Sequence, residues 1–181
     1  MVQESGDRKK LVEEKIRNAE AEALTSLTLI RRVVKDYLIH EKGYGDEDIE
    51  VDAEFGIIVD NRETPVSVDY ILNIRGRRFM VIKCSPGAVD SRERHLVSFA
   101  RVVDAYQIPI AVVTDGVQAR ILDTLKGRIV AEGLESLPER RQAVEMMSST
   151  EFSPYPAERM EKEKRILVAF ESIKCTEESC E

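Results

Sequence analysis

Tryptophan is absent from this chain, histidine occurs twice and cysteine three times, and aromatic residues make up only 6% of 181 positions. Three cysteines are too few for a disulfide-stapled scaffold, and their spacing builds no zinc site. Cys84 lies in an apolar run and reads as a buried small hydrophobe. Cys175 and Cys180, spaced CTEESC in an acidic tail, fit neither a zinc knuckle nor a redox CxxC pair and are expected to be free thiols. His40 and His95 both stand in helical stretches as ordinary helix residues, and no serine or cysteine has a recognisable base with an orienting acid, so a catalytic triad has no support. No phosphate-cradling glycine loop occurs, because Gly43-Tyr44-Gly45 follows a helix instead of opening one. Long apolar runs are missing too, and none approaches the roughly 18–20 residues of a membrane span. The opening MVQESGDRKK has no apolar stretch behind its basic pair. A signal peptide is therefore not expected, and the chain is expected in the cytoplasm.

What is present is charge. Acidic residues number 34 against 27 basic ones, a net of −7, and this balance argues against indiscriminate binding to a polyanion. Local basic clusters do occur at Arg75, Arg77 and Arg78, at Arg92 and Arg94, and at Arg140 and Arg141. They fit solvated turns and helix surfaces as well as a basic groove. The length fits one domain, taken as residues 1–181 with its core at about 27–138.

Periodicity predicts the elements. Leu27, Ile30, Val33, Val34, Tyr37 and Leu38 form one helical stripe in a helix from about Arg8 to Lys42, with Leu11, Ile16 and Ala19 to Ala23 continuing it upstream. A break near Thr25-Ser26 is allowed by their preference for caps, and Gly43 suits the C-terminal cap. The period then drops to two. Val51, Ala53, Phe55, Ile57 and Val59 alternate with acids, Val66 to Ile74 alternate again with Ser67, Asp69, Ile71 and Asn73 on the other face, and Phe79 to Cys84 is mostly apolar. These predict an antiparallel meander. A crossover helix follows, started by Asp90 and Glu93 at capping-box spacing and ending near Gln107. Ile108 to Thr114 is a strand apolar on both faces, and Val117 to Thr124 and Arg128 to Glu132 form a hairpin about Leu125-Lys126-Gly127. Short and long amphipathic helices close the chain, at Pro138 to Met147 and Pro156 to Ile173.

This order of elements resembles the N-terminal domain of type I restriction enzyme R subunits, a family of the PD-(D/E)xK nuclease superfamily. The likeness spans roughly Leu27 to Pro138. It rests on the segments Tyr37 to Tyr44, Val68-Asp69, Val81-Ile82-Lys83-Cys84 and Ile108 to Gly116. The resemblance implies an α/β fold of restriction-endonuclease type, a mixed central sheet flanked by helices. It also implies a site in which an Asp and a Glu two residues before a Lys hold Mg²⁺ and prepare a water for attack on DNA. Strand alternation puts that Glu and Lys on one face, about 6–7 Å apart.

Set on this pattern, Asp69 matches the Asp, but Lys83 stands where the Glu belongs and Ser85 where the Lys belongs. An ammonium repels the cation that the pattern needs, so no metal is expected and the motif is expected to be vestigial. Lys83 then has two open readings, an ion pair with Asp69 or a strand-end lysine reaching outward to solvent. A third reading relocates the catalytic acids, with Glu41, Glu54, or Glu93 beside Arg94 supplying ligands near Asp69 and Mg²⁺ returning as cofactor. Two functions follow: a catalytically impaired relative with a binding or regulatory role, or a metal-dependent DNA endonuclease. The partners expected are DNA or a restriction-modification-type protein, and a second copy joined through the terminal helices, Pro156 to Ile173 being preferred.

Overall fold

The computed structural model describes residues 3–87 and 89–178. Cys180 and the side chains of Cys175, Leu11, Ile16, Ala19, Ala21 and Ala23 lie outside the described residues. Six strands form one mixed sheet in chain order: β1 (Ile49–Val59), β2 (Arg62–Ile74), β3 (Arg77–Cys84), β4 (Ile110–Thr114), β5 (Ala119–Asp123) and β6 (Arg128–Glu132). The first three are the antiparallel meander, β4 runs parallel to β3, and β5 and β6 add an antiparallel hairpin. The parallel step needs a crossover, and α2 (Glu93–Val102) supplies it. α1 (Gln3–His40) and α3 (Arg140–Ser149) cover one face of the sheet, and α2 and α4 (Ala157–Glu178) cover the other. Two apolar layers result. Val34, Leu38, Tyr70, Leu72, Met80, Ile82 and Val112 fill one, and Ile71, Val81, Leu96, Phe99, Val113 and Leu167 fill the other. The continuous apolar run of β4 follows from burial on both faces. No helix among the described residues is long and apolar enough to cross a membrane.

Turn chemistry matches the sequence. Asp60 and Asn61 both take left-handed φ (49° and 62°), as do Arg75 and Gly76 (52° and 76°), and two such residues make the tight turn that suits strand twist. Gly43 (φ 73°) ends α1, where the Tyr44 N–H donates to the Leu38 carbonyl at 3.1 Å. Gly116, at φ 88°, turns the chain after β4 beneath α1, and a Cβ there would stand 3.5 Å from Ile30. Gly116→Ala is expected to lose about 1–2 kcal/mol through its backbone conformation. A lowered urea midpoint at unchanged slope is the readout, and an unmoved midpoint would mean that the turn relaxes freely.

Three local expectations are corrected. α1 passes Thr25-Ser26 without a break. The capping box at Asp90 and Glu93 does not form, because a 3₁₀ turn (Val89–Arg92) leads into α2 and Arg92 enters already helical. Asp90 and Glu93 turn instead to Arg120 of β5, at 3.1 and 3.9 Å. Strand alternation also fails in the meander. Val66 and Val68 face α2 and α4, yet Tyr70 and Leu72 face α1, and Ile49 likewise parts from Ala53 and Ile57. Simple period two would keep each set on one side. In β1 the switch sits at Asp52, whose left-handed φ of 52° rotates every side chain after it, and β2 changes face directly opposite, about Asp69, where the β1–β2 pairing skips from Val51↔Tyr70 to Ala53↔Val68.

Candidate functional site

The crossing of faces defines the site. Pairing of β2 with β3 runs from Ile74 to Tyr70, opposite Ile82, and goes no further. Beyond it the Cys84 N–H would be left without a carbonyl, and the Asp69 carboxylate takes it, with Oδ2 2.8 Å from the nitrogen. Asp69 is thus a buried acid at the fork where β2 leaves β3.

Two cations meet it there. Lys83 Nζ lies 3.2 Å from Asp69 Oδ2, and Arg31 Nε of α1 lies 3.4 Å from Oδ1. Of the two readings of Lys83, the structure gives the inward pair: its side chain is 15% exposed and turned to Asp69. Arg31 also donates to Asp52, whose side chain is largely in solvent, and lies over the Tyr70 ring, its guanidinium carbon 5.9 Å from the centroid. The Tyr70 hydroxyl in turn donates to the Arg31 carbonyl at 2.8 Å, which fixes α1 above the fork. Burial opposes the Arg31 charge, but Asp69 and Asp52 together raise its pKa above the ordinary value. Burial pushes the neighbouring Cys84 thiol up to about 12, with the Asp69 charge adding to it, so no thiolate forms near neutral pH.

The other sequence candidates are elsewhere. Ser85 is buried, but its hydroxyl accepts from the Gly87 N–H at 3.4 Å and shapes the loop after β3. Glu41 is exposed past the end of α1, and Glu54 is exposed on β1. Neither makes an ion pair or hydrogen bond to Asp69. Glu93 is held by Arg120, with burial raising its pKa, while Arg94 binds Glu163. The acid that does come near is Asp52, which sequence reasoning passed over as a strand-surface residue. Among the described residues, no three His, Cys, Asp or Glu side chains converge as metal ligands. Magnesium asks for several oxygen donors, and here a lysine and an arginine already hold the one buried carboxylate. The residues at the fork do not fit that ion.

A second polar centre lies between α2 and α4. The Glu163 carboxylate, 3% exposed, accepts from Arg94 (2.9 Å), Ser98 (2.8 Å), Arg101 (3.1 Å) and Tyr155 (2.9 Å). His95, also buried, sets Nε2 2.9 Å from Glu171 Oε1. The signal available was the helical spacing of Glu163, Leu167 and Glu171, four apart, which puts two acids and a leucine on one face. With Leu167 fully buried, the amphipathic face of α4 is engaged within the chain, so the preference for a dimer through Pro156 to Ile173 loses the exposed stripe on which it rested.

A mixed six-stranded sheet with helices on both faces, and a buried acid inside a meander strand where its pairing with the next strand stops, defines an α/β domain of restriction-endonuclease type. The chain belongs to the family described as type I restriction enzyme R protein N terminus (HSDR_N), whose model matches residues 28–138. No curated protein and no solved structure matches the chain. The matched stretch holds the whole sheet and the fork at Asp69, while α3 and α4 follow it.

Proposed function

We propose that this chain is a restriction-subunit nuclease-type domain, a single unit over residues 1–181, in which an ammonium takes the place of the metal and hydrolysis is lost or strongly impaired. Its role is then binding or regulation in the cytoplasm, toward DNA or a restriction-modification-type protein, as the family suggests. The observation that supports this reading is Lys83 Nζ at 3.2 Å from Asp69 Oδ2, with Arg31 on the other oxygen. Positive charge is needed beside a buried carboxylate, and a side chain delivers it permanently, without an exchangeable ion. Such a centre fixes geometry but cannot prepare a water for attack, because it offers neither an open coordination position nor a free base.

The relocated-acid endonuclease is supported by one feature only, that Asp52 shares Arg31 with Asp69. If Arg31 swung out, two carboxylates would face each other, so Asp52, and not Glu41 or Glu54, is the acid this reading needs. Calorimetric titration with Mg²⁺ and Mn²⁺ separates the two. The expected result is no binding heat at millimolar metal for the wild type and no difference in Asp69→Ala. Binding lost in Asp69→Ala, together with metal-dependent cleavage of duplex DNA, would overturn the metal-free reading.

A further inference from the structure

The face of α1 turned away from the sheet carries a pattern that the rest of the fold does not use. Val34 and Leu38 are fully buried against the sheet, whereas Leu29 and Val33 on the opposite side are 62% and 43% exposed. Glu22, Ser26, Asp36 and His40, all exposed, extend this outer line. The six positions follow alternating steps of four and three, the spacing of a seam between two packed helices. Read backwards about Arg31, the line matches itself. Leu29 falls opposite Val33, Ser26 opposite Asp36, and Glu22 opposite His40. A surface that is its own complement under reversal is what a twofold interface requires.

We propose that two copies of this chain pair through antiparallel α1 helices, with Leu29 and Val33 of each at the centre. Ser26 then donates to Asp36 of the second copy, and the second copy's His40 donates to Glu22. The helices cross at about 20° along roughly 28 Å, and the sheets sit on opposite outer sides. Arg31 points toward Asp69 and away from the seam, so pairing leaves the fork intact and stands independently of the metal-free reading. Four apolar side chains make a small centre, and two bodies of net charge −7 repel. The dimer is accordingly weak and concentration-dependent.

Sedimentation equilibrium of the full chain over a concentration series tests this. The wild type is expected to show a monomer–dimer equilibrium. Leu29→Glu, at an exposed position, is expected to raise the dimer dissociation constant by about tenfold or more with an unchanged far-ultraviolet spectrum. Glu22→Lys is expected to weaken the dimer by setting an ammonium against His40 of the second copy, and the double variant Glu22→Lys, His40→Glu to restore it. Three outcomes would overturn the proposal: a wild type monomeric throughout, a dimer indifferent to Leu29→Glu, or a double variant no better than Glu22→Lys. The last would mean that the helices do not meet in this antiparallel register.

Discussion

Glu163→Ala is expected to destabilise the fold by about 3–5 kcal/mol, the range for removing one partner of a buried charge cluster. The carboxylate is the common acceptor for two guanidinium groups and two hydroxyls, and its removal leaves Arg101 and Ser98 facing one another without an anion. Arg101 keeps its bonds to the Thr124 carbonyl, so the cost falls mainly on α4, whose hold on α2 depends on this residue and on Leu167. Urea unfolding should show a lower midpoint, and hydrogen exchange should show α4 amides opening first. Acid dependence sharpens the expectation. Burial alone would raise the Glu163 carboxyl, but hydrogen bonds from Arg94, Ser98 and Tyr155 hold it down to about 2, against an ordinary value of 4.5. A lowered pKa means that the contribution is complete above pH 4.5 and is lost as the pH falls toward 2. Glu163→Gln, which keeps the shape without the charge, should therefore be less stable at neutral pH and lose less on acidification. An acid limb of unchanged steepness in Glu163→Gln would show that other carboxylates govern it.

The elements were legible because their periods change cleanly along the chain. The helical stripe through Val34 and Leu38, the meander, the apolar β4 and the final hairpin all stand where apolar spacing puts them. What alternation could not reveal was the change of face at Asp52 and Asp69, since a pattern of period two assumes that every residue is extended and Asp52 is not. Ile71 shows the consequence. Alternation groups it with the polar Ser67, Asp69 and Asn73, yet it is fully buried, because its face is covered by α2 and α4. The site was half legible. Spacing relative to a nuclease motif singled out Asp69 and Lys83, but Arg31 lies 38 positions from Asp69 and enters only through the docking of α1. Long-range polar partners of this kind leave no local pattern. Arg94 fits a solvated helix charge as sequence, and only the docking of α4 brings Glu163 over it and over Ser98 and Arg101.

Lys83→Glu should turn the fold from indifferent to divalent metal into dependent on it. The substitution removes an ammonium from Asp69 Oδ2 and sets a second carboxylate in its place, with Arg31 the one remaining cation there. Arg31, already shared with Asp52, supplies one positive charge where Asp69 and the new carboxylate need two, so one of them takes up a proton or the fork loosens. The expected loss is about 2–4 kcal/mol without metal, well beyond the roughly 0.5 kcal/mol of an ordinary surface change. The same pair is, however, the start of a hard-cation site, with two oxygen donors on adjacent strands. A metal that binds only the folded form adds about 2.7 kcal/mol at a hundredfold excess over its dissociation constant, enough to recover most of the loss. Thermal unfolding with and without Mg²⁺ or Mn²⁺ measures this directly, with Lys83→Met as the control. Methionine also breaks the ion pair, so it should lower the melting temperature, but it supplies no oxygen and should give no response to metal. If Lys83→Glu melts like the wild type, Lys83 is a strand-end lysine whose contact with Asp69 contributes little, and the ammonium cannot be standing in for an ion. If it melts lower and metal restores it, one residue decides whether this fork holds a lysine or a metal ion, and the fold around Asp69 has kept the shape of a metal site while its own sequence fills it.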